Sequence, residues 1–248
     1  MHGVKVESHR WFSGNLAHDM ELLVYGHGGQ PLVCFPSYNG HLRDWEGFGM
    51  VEAVADLIEA GRLTMIAVDG IDWQSWTNKA VGVEQRARRH NDYHRYITEE
   101  VMPLVKQISG RDTAWTTGCS MGAFHAANFF FRRPDLFDGV IAMSGVYQPS
   151  HMLGGYSDDD VYFNSPIYYL PNLGDPWHLE RYRRSRIVIC VGQGAWENEA
   201  LPDTHRLQEI LHEKGIPATF DYWGHDVEHH WYWWKKMIHH HLQVLWAD

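Results

Sequence analysis

The sequence predicts an α/β protein in which a mostly parallel central sheet is flanked by helices. Three observations support this fold class. Short apolar or β-branched runs alternate with segments of helical spacing along most of the chain. Parallel strands need crossover connections, which are usually helices. The 248 residues, 44% of them hydrophobic, are enough to bury one full core, so we expect a single domain over residues 1–248.

The individual elements follow from these patterns. The predicted strands are residues 21–25, 31–35, 63–68, 113–117, 139–143, 186–191 and 218–222. The predicted helices are residues 50–60, 84–108, 122–132, 203–214 and 233–245. The first two strands are joined by the tight turn Gly-His-Gly-Gly at residues 26–29, which predicts an antiparallel hairpin at one edge of the sheet.

One segment departs from the alternation. Residues 147–182 combine three consecutive aspartates, several prolines and glycines, and eight aromatic side chains. Long irregular insertions in compact domains are usually functional or disordered, and the aromatic content argues against disorder. We expect a small cap-like insertion beside the active site.

Composition excludes several classes of partner. The formal net charge is −10 and the basic residues form no stripe, so we expect no nucleic acid partner. No apolar run is long enough to span a bilayer, and residues 1–7 lack the apolar core of a signal peptide, so we expect no membrane association. The three cysteines are odd in number and lie in or beside apolar runs, which favours reduced thiols and the cytoplasm.

The motif Gly-Cys-Ser-Met-Gly at residues 118–122 carries the strongest chemical signal. It follows a predicted strand and precedes a predicted helix, which is the arrangement of the nucleophile elbow in the α/β-hydrolase fold. The predicted nucleophile is therefore Ser120, and the Met121 N–H at the helix start is the first expected oxyanion donor. The alternatives are that Ser120 only caps the helix, or that Cys119, which we expect to be a buried inert thiol, has this role.

A serine nucleophile needs a histidine base and a carboxylate that orients it, in the order Ser, acid, His on loops after later strands. After strand 186–191, Glu197 holds the expected acid position, with Glu199 and Asp203 behind it. We expect the neighbouring Trp196 ring to exclude water from Glu197. After strand 218–222 three histidines compete for the base: His225, His229 and His230.

The elbow together with the closing His-x-Trp-x-x-Trp at residues 229–234 resembles the serine esterase family that includes esterase D (S-formylglutathione hydrolase), enterochelin esterase and the mycolyltransferases. The resemblance covers most of the chain, and it implies that His229 is the base. The family's usual Gly before this histidine is Glu228 here, and its Asp after it is His230. His225, which keeps Gly before and Asp after, therefore remains an alternative.

The second oxyanion donor should come from the loop after strand 31–35. Pro-Ser-Tyr-Asn-Gly at residues 36–40 stands where relatives carry a glycine-rich turn, and we expect the Tyr38 N–H to be this donor. Asp69 and Asp72 follow strand 63–68 at the same rim, where they either shape the substrate site or cap turns.

These residues predict a serine carboxylic-ester hydrolase that forms an acyl-enzyme with a small soluble ester and needs no cofactor or metal. An acyltransferase on the same residues, a metal-binding protein and a non-catalytic binding protein are the alternatives. The metal-binding alternative uses His225, Asp226, His229 and His230. The sequence leaves open the acyl and alcohol groups of the substrate and whether the chain forms a homo-oligomer.

Overall fold

The computed structural model describes residues 3–246. Its described residues form one eight-stranded sheet in the order β1-β2-β4-β3-β5-β6-β7-β8. The strands are β1 (Val6–Ser13), β2 (His18–Tyr25), β3 (Gln30–Phe35), β4 (Leu63–Val68), β5 (Ala114–Cys119), β6 (Phe137–Met143), β7 (Arg186–Val191) and β8 (Thr219–Tyr222). From β4 to β8 all neighbours are parallel, which confirms the predicted mostly parallel sheet.

The predicted hairpin between the strands at residues 21–25 and 31–35 is wrong. Instead β2 pairs with β1, a strand that was not predicted, and on its other side with β4, both antiparallel. Glycine is needed in the turn because the chain there lies close to the backbone of Arg62. A Cβ on Gly29, where φ is +83°, would lie 2.2 Å from the carbonyl oxygen of Arg62. The chain therefore passes over the start of β4 before it enters β3.

The helices lie on both faces of this sheet. On the first part of the chain they are α1 (Asp44–Gly47), α2 (Met50–Ala53), α3 (Ala55–Glu59), α4 (Val83–Arg95), a π-helix (Tyr96–Val101) and α5 (Met102–Ser109). After β5 follow α6 (Met121–Arg132), α7 (Ser150–Leu153), α8 (Asp159–Tyr162), α9 (Pro166–Tyr169), a 3-10 turn (Leu170–Asn172), α10 (Pro176–Arg184), α11 (Ala200–Glu213) and α12 (Trp231–Leu245).

Two of the predicted helices are interrupted. The helix predicted at residues 50–60 breaks at Val54, whose φ of −124° is not helical. The helix predicted at residues 84–108 contains the π-helix, which ends two residues before Pro103. This proline has no N–H for the α-helical bond to Glu99. Both interruptions leave the overall path of the segment as predicted.

Each face of the sheet buries its own apolar cluster. Phe129 of α6 and Leu207 of α11 belong to the cluster on one face, whereas Trp45 of α1 and Met237 of α12 belong to the cluster on the other. Burial on both faces explains why strands β3 to β7 are near-continuous apolar runs. No helix among residues 3–246 is long and apolar enough to cross a membrane. The three thiols are free and buried, and burial raises their pKa.

Residues 147–182 form short helices that run along α6. Near Ser120, Leu153 and Val161 pack in one apolar cluster with Met121 and Phe124. Farther along, the Tyr182 hydroxyl donates to the carbonyl of Phe131 at the other end of α6. A pocket of about 370 Å³ lies at that end, lined by these two residues among others. Eleven helical residues separate it from Ser120 by about 16 Å, so this pocket does not adjoin Ser120.

Candidate active site

Ser120 stands on a sharp turn between β5 and α6. Its φ of 57° and ψ of −120° are strained for a residue with a Cβ. Its N–H donates to the carbonyl of Met143 at 2.9 Å, and this hydrogen bond joins the turn to the adjacent strand β6. The Ser120 side chain makes no capping hydrogen bond to α6. The hydroxyl lies instead 2.8 Å from His229 Nε2, contrary to the alternative that it serves as the helix cap.

The two motif glycines are required by close backbone contacts. A Cβ on Gly118 would lie 2.1 Å from the carbonyl of Gly122, and a Cβ on Gly122 would lie 2.6 Å from the carbonyl oxygens of Phe35 and Pro36. Both distances are far below a van der Waals contact. The elbow can thus lie directly against the loop after β3 only because both positions are glycine.

His229 reaches Ser120 from the loop between β8 and α12. Its Nε2 lies 2.8 Å from the Ser120 Oγ, and its backbone N–H donates to the Ala195 carbonyl at 3.0 Å. The Trp234 ring packs edge-on against the imidazole, with centroids 4.9 Å apart. The backbone bond and the Trp234 ring together fix the orientation of the imidazole.

The other two histidines of this loop lie elsewhere. His225 is exposed, and the His230 side chain caps α12 by accepting the N–H of Tyr232. The metal-binding alternative is also disfavoured, because both ring nitrogens of His229 already have partners within hydrogen-bond distance, Ser120 and Glu197. Among residues 3–246, His225, Asp226, His229 and His230 do not gather into a cluster that could hold a metal.

Glu197 lies behind the imidazole with only 1% of its surface exposed. Its Oε2 is 3.1 Å from His229 Nδ1, and its Oε1 accepts the hydroxyl of Ser144 at 2.6 Å. Both carboxylate oxygens therefore have partners, as a buried charge requires. Of its acidic neighbours, Glu199 is exposed, and Asp203 accepts the Tyr147 N–H at 2.7 Å.

Ser144 was missed in the sequence. It directly follows β6 with a φ of 55° and is 1% exposed. The indole Nε1 of Trp234 donates to its hydroxyl oxygen at 3.0 Å. Because an indole N–H can only donate, the Ser144 hydroxyl keeps its own proton free for Glu197. The signal available in the sequence was only its place at the carboxyl end of a predicted strand.

Trp196 does not shield the carboxylate as predicted. Its side chain is 82% exposed, and its φ of 67° turns the chain outward just before Glu197. In the same loop, Gly194 donates its N–H to the Val227 carbonyl at 2.8 Å. A Cβ on Gly194 would lie 2.7 Å from that oxygen, so the two loops are in close contact.

The loop after β3 runs beside the elbow, because Phe35 is paired with Gly118 in the sheet. Outside helices and strands, no backbone hydrogen bond recorded for the described residues uses the N–H of Met121 or Tyr38. The Tyr38 side chain is 59% exposed, and the Asn39 amide oxygen accepts the Thr77 hydroxyl at 2.6 Å. The oxyanion role of the two N–H groups stays a prediction.

The two aspartates after β4 have different surroundings. Asp69 accepts the N–H of Leu42 and of Gly70, which is a turn-capping role, and burial raises its pKa. Asp72 is 3% exposed and lies 2.9 Å from His125 Nε2 on α6. Neither carboxylate contacts the Ser120, His229 or Glu197 side chains.

Comparison with known proteins identifies the family of this chain. Residues 13–244 match the model of the esterase family described as "Putative esterase". The chain belongs to this family and is an esterase, a carboxylic ester hydrolase with the α/β-hydrolase fold. No curated protein sequence matches the chain.

Solved structures of esterases share the fold. An S-formylglutathione hydrolase from Agrobacterium tumefaciens has a TM-score of 0.76 at 17% identity, over 98% of this chain and 95% of its own. An S-formylglutathione hydrolase from Staphylococcus aureus has 0.72 at 16% identity, over 97% and 98%. A ferulic acid esterase has 0.75 at 17% identity, over 96% of each chain. At these identities the similarity shows the fold alone.

Proposed function

We propose that the protein hydrolyses a small soluble carboxylic ester through an acyl-enzyme on Ser120. The supporting observation is the pair of contacts on one imidazole: His229 Nε2 at 2.8 Å from the Ser120 Oγ and Nδ1 at 3.1 Å from Glu197. This is the arrangement that a hydroxyl nucleophile needs at neutral pH. It uses no cofactor or metal ion.

The proposed reaction has two halves. Ser120 Oγ attacks the ester carbonyl carbon while its proton moves to His229 Nε2, and the buried Glu197 carboxylate stabilises the imidazolium. The N–H groups of Met121 and Tyr38 hold the oxyanion. The imidazolium then protonates the leaving alcohol. Water, deprotonated by His229, attacks the acyl-enzyme and releases the acid.

The direction of the Ser144 proton supports this assignment. With Trp234 donating to Ser144 and Ser144 donating to Glu197, the carboxylate is an acceptor on both oxygens. His229 Nδ1 must then carry a proton, which leaves Nε2 as the acceptor for the Ser120 hydroxyl. A cytoplasmic location is proposed only from the free buried thiols.

A fluorophosphonate probe tests the nucleophile directly. We expect one label per folded chain, on Ser120, and no label on Ser120→Ala. Ser109→Ala is the matched control, because its hydroxyl donates to the Val105 carbonyl at the end of α5, far from the elbow. A label on another residue of the folded wild type, or none, would contradict the proposal.

A chain-length series of p-nitrophenyl esters then measures the acyl preference, with Ser120→Ala as the blank. Running the same assay with added alcohol acceptors separates hydrolysis from acyl transfer, because transfer replaces the free acid by a new ester. We expect the free acid to remain the main product. An excess of the new ester at low acceptor concentration would favour the acyltransferase.

A further inference from the structure

A second group of chemically reactive side chains lies outside the active site, between the edge strand β8 and the helix α12. It consists of Asp221 on β8 and of His240 and His241 on α12. One ligand atom of each residue lies within 4.8 Å of the other two. Across residues 3–246 this is the one cluster of three or more such side chains with that spacing.

The buried member of this group has an unused ring nitrogen. The His241 side chain is 5% exposed, and its Nε2 lies 3.2 Å from Asp221 Oδ2. The contact nevertheless fails the angular requirement of a hydrogen bond, and Nε2 has no other partner. Two ligand atoms that are each about 2 Å from one tetrahedral zinc ion lie about 3.3 Å apart. The spacing of these two atoms therefore fits a shared ion.

The carboxylate is held in place by a further residue. Trp223 Nε1 donates to Asp221 Oδ2 at 2.7 Å, and the Trp223 ring also packs edge-on against His240, with centroids 6.1 Å apart. Metal-binding carboxylates are commonly oriented by such outer hydrogen bonds. One tryptophan thus contacts two of the three candidate ligands.

The donor set indicates which ion would bind. Two imidazoles and one carboxylate suit zinc and similar divalent transition metals, whereas calcium and magnesium prefer oxygen ligands throughout. Asp221 is partly exposed and His240 exposed, so water can fill the fourth position.

We propose that Asp221, His240 and His241 bind one Zn²⁺ ion. The metal-binding alternative drawn from the sequence used other residues, His225, Asp226, His229 and His230, which do not gather. The ion would join β8 to α12, and these two elements flank residues 223–230, the connection that carries His229. Its role is structural: it fixes the spacing of the two anchors of that connection. The proposal does not depend on the catalytic roles proposed above.

Zinc titration of metal-free protein tests the site, using full-length protein without a polyhistidine tag. By calorimetry we expect one Zn²⁺ per chain and an increase in the midpoint of thermal unfolding. Replacing zinc by Co²⁺ should give the visible absorption of a tetrahedral complex. Both readouts are independent of ester hydrolysis, so a failed catalytic proposal would leave them unchanged.

Variants locate the ion. We expect His240→Ala and Asp221→Asn each to lower the affinity for Zn²⁺ at least 10-fold, with the metal-free variants unfolding at the wild-type temperature. His240 is exposed, so its truncation should not disturb folding. His239→Ala is the matched control from the same tract, since His239 hydrogen-bonds to Gln243 instead. It should bind zinc like the wild type.

Two results would overturn the proposal. One is the absence of binding by the wild type at tens of micromolar Zn²⁺. The other is stoichiometric binding that survives in both His240→Ala and Asp221→Asn, because the ion would then lie elsewhere.

Discussion

The hydroxyl of Ser144 lies 2.6 Å from Glu197 Oε1, on the side of the carboxylate opposite His229. The same hydroxyl accepts the Trp234 indole N–H, and the Trp234 ring packs against His229. Trp234 therefore contacts the imidazole directly and reaches its carboxylate partner through Ser144. Four side chains from three separate parts of the chain support the Ser120 hydroxyl.

We expect Ser144→Ala to lower kcat about 10-fold with little change in KM. The variant loses a hydrogen bond to a charged group, about 1.5–3 kcal/mol, and leaves the Trp234 N–H without its acceptor. Steady-state kinetics on a p-nitrophenyl ester measure the effect. Ser165→Ala is the control, because it removes an equally buried hydroxyl that donates to the Val161 carbonyl. Equal losses in both variants would argue against a specific role of Ser144.

Glu197→Gln should lower kcat about 10³-fold or more, because a neutral amide cannot stabilise the imidazolium and favours the wrong tautomer. Glu199→Gln, two residues along and exposed, should stay within about twofold of the wild type. Both are measured by kcat at saturating ester, with circular dichroism to verify folding. A Glu197→Gln enzyme of near wild-type rate would mean that another acid orients the base.

We expect Gly122→Ala to destabilise the fold by about 1–3 kcal/mol and to lower activity. The added methyl would lie 2.6 Å from the Phe35 and Pro36 carbonyl oxygens and push the loop after β3 away from the elbow. Gly47→Ala is the control, because nothing lies within 4 Å of its added Cβ. Chemical denaturation gives the free energy of unfolding for both. A Gly122→Ala protein as stable as Gly47→Ala would show that the loop can move freely.

The buried His90 predicts sensitivity to acid. Burial, with His125, Arg132 and His94 nearby, lowers the pKa of His90 well below 6.5, so the folded state keeps the ring neutral while the unfolded state takes up a proton. The free energy of unfolding should therefore fall as pH drops below about 6.5, by up to about 1.4 kcal/mol per pH unit for this one proton.

Replacing His90 by Leu should reduce that pH dependence but not remove it, because burial also lowers the pKa of His94. The stability of the variant at pH 8 will also change through packing. Denaturation curves between pH 5 and pH 8 measure the slope for wild type and variant. His212→Gln, an exposed histidine of α11, should leave the slope unchanged. If His90→Leu and the wild type had the same slope, protonation of His90 would not contribute to acid unfolding.

The parts of the structure that the sequence predicts are those determined by local pattern. Strands β3 to β7 are buried on both faces and show it as apolar runs, whereas β1 lies at an exposed edge, carries four consecutive polar residues after Val6, and was missed. Ser120 could be found because its strand, turn and helix are consecutive in the chain.

Contacts between segments that are distant in the chain could not be predicted from local sequence pattern. Ser144 and Glu197 are 53 residues apart and meet because β6 and β7 are parallel neighbours. His225 and His229 follow the same strand, and only the family resemblance favoured His229. The structure adds the physical reason. The carbonyl of Val227 accepts the Gly194 N–H, which holds the loop against the loop after β7. His229, two residues farther along, is thereby placed beside Ser120.

The position of β8 at the edge of the sheet has a consequence for heat inactivation. Its four residues pair with β7 alone and are partly exposed, whereas β5, which leads to Ser120, is buried between two strands. Local unfolding begins where few buried contacts must be lost. Unpairing of β8 would move residues 223–230, and with them His229, away from Ser120 while the rest of the sheet is intact. Ester hydrolysis should therefore cease below the temperature at which the molecule unfolds as a whole.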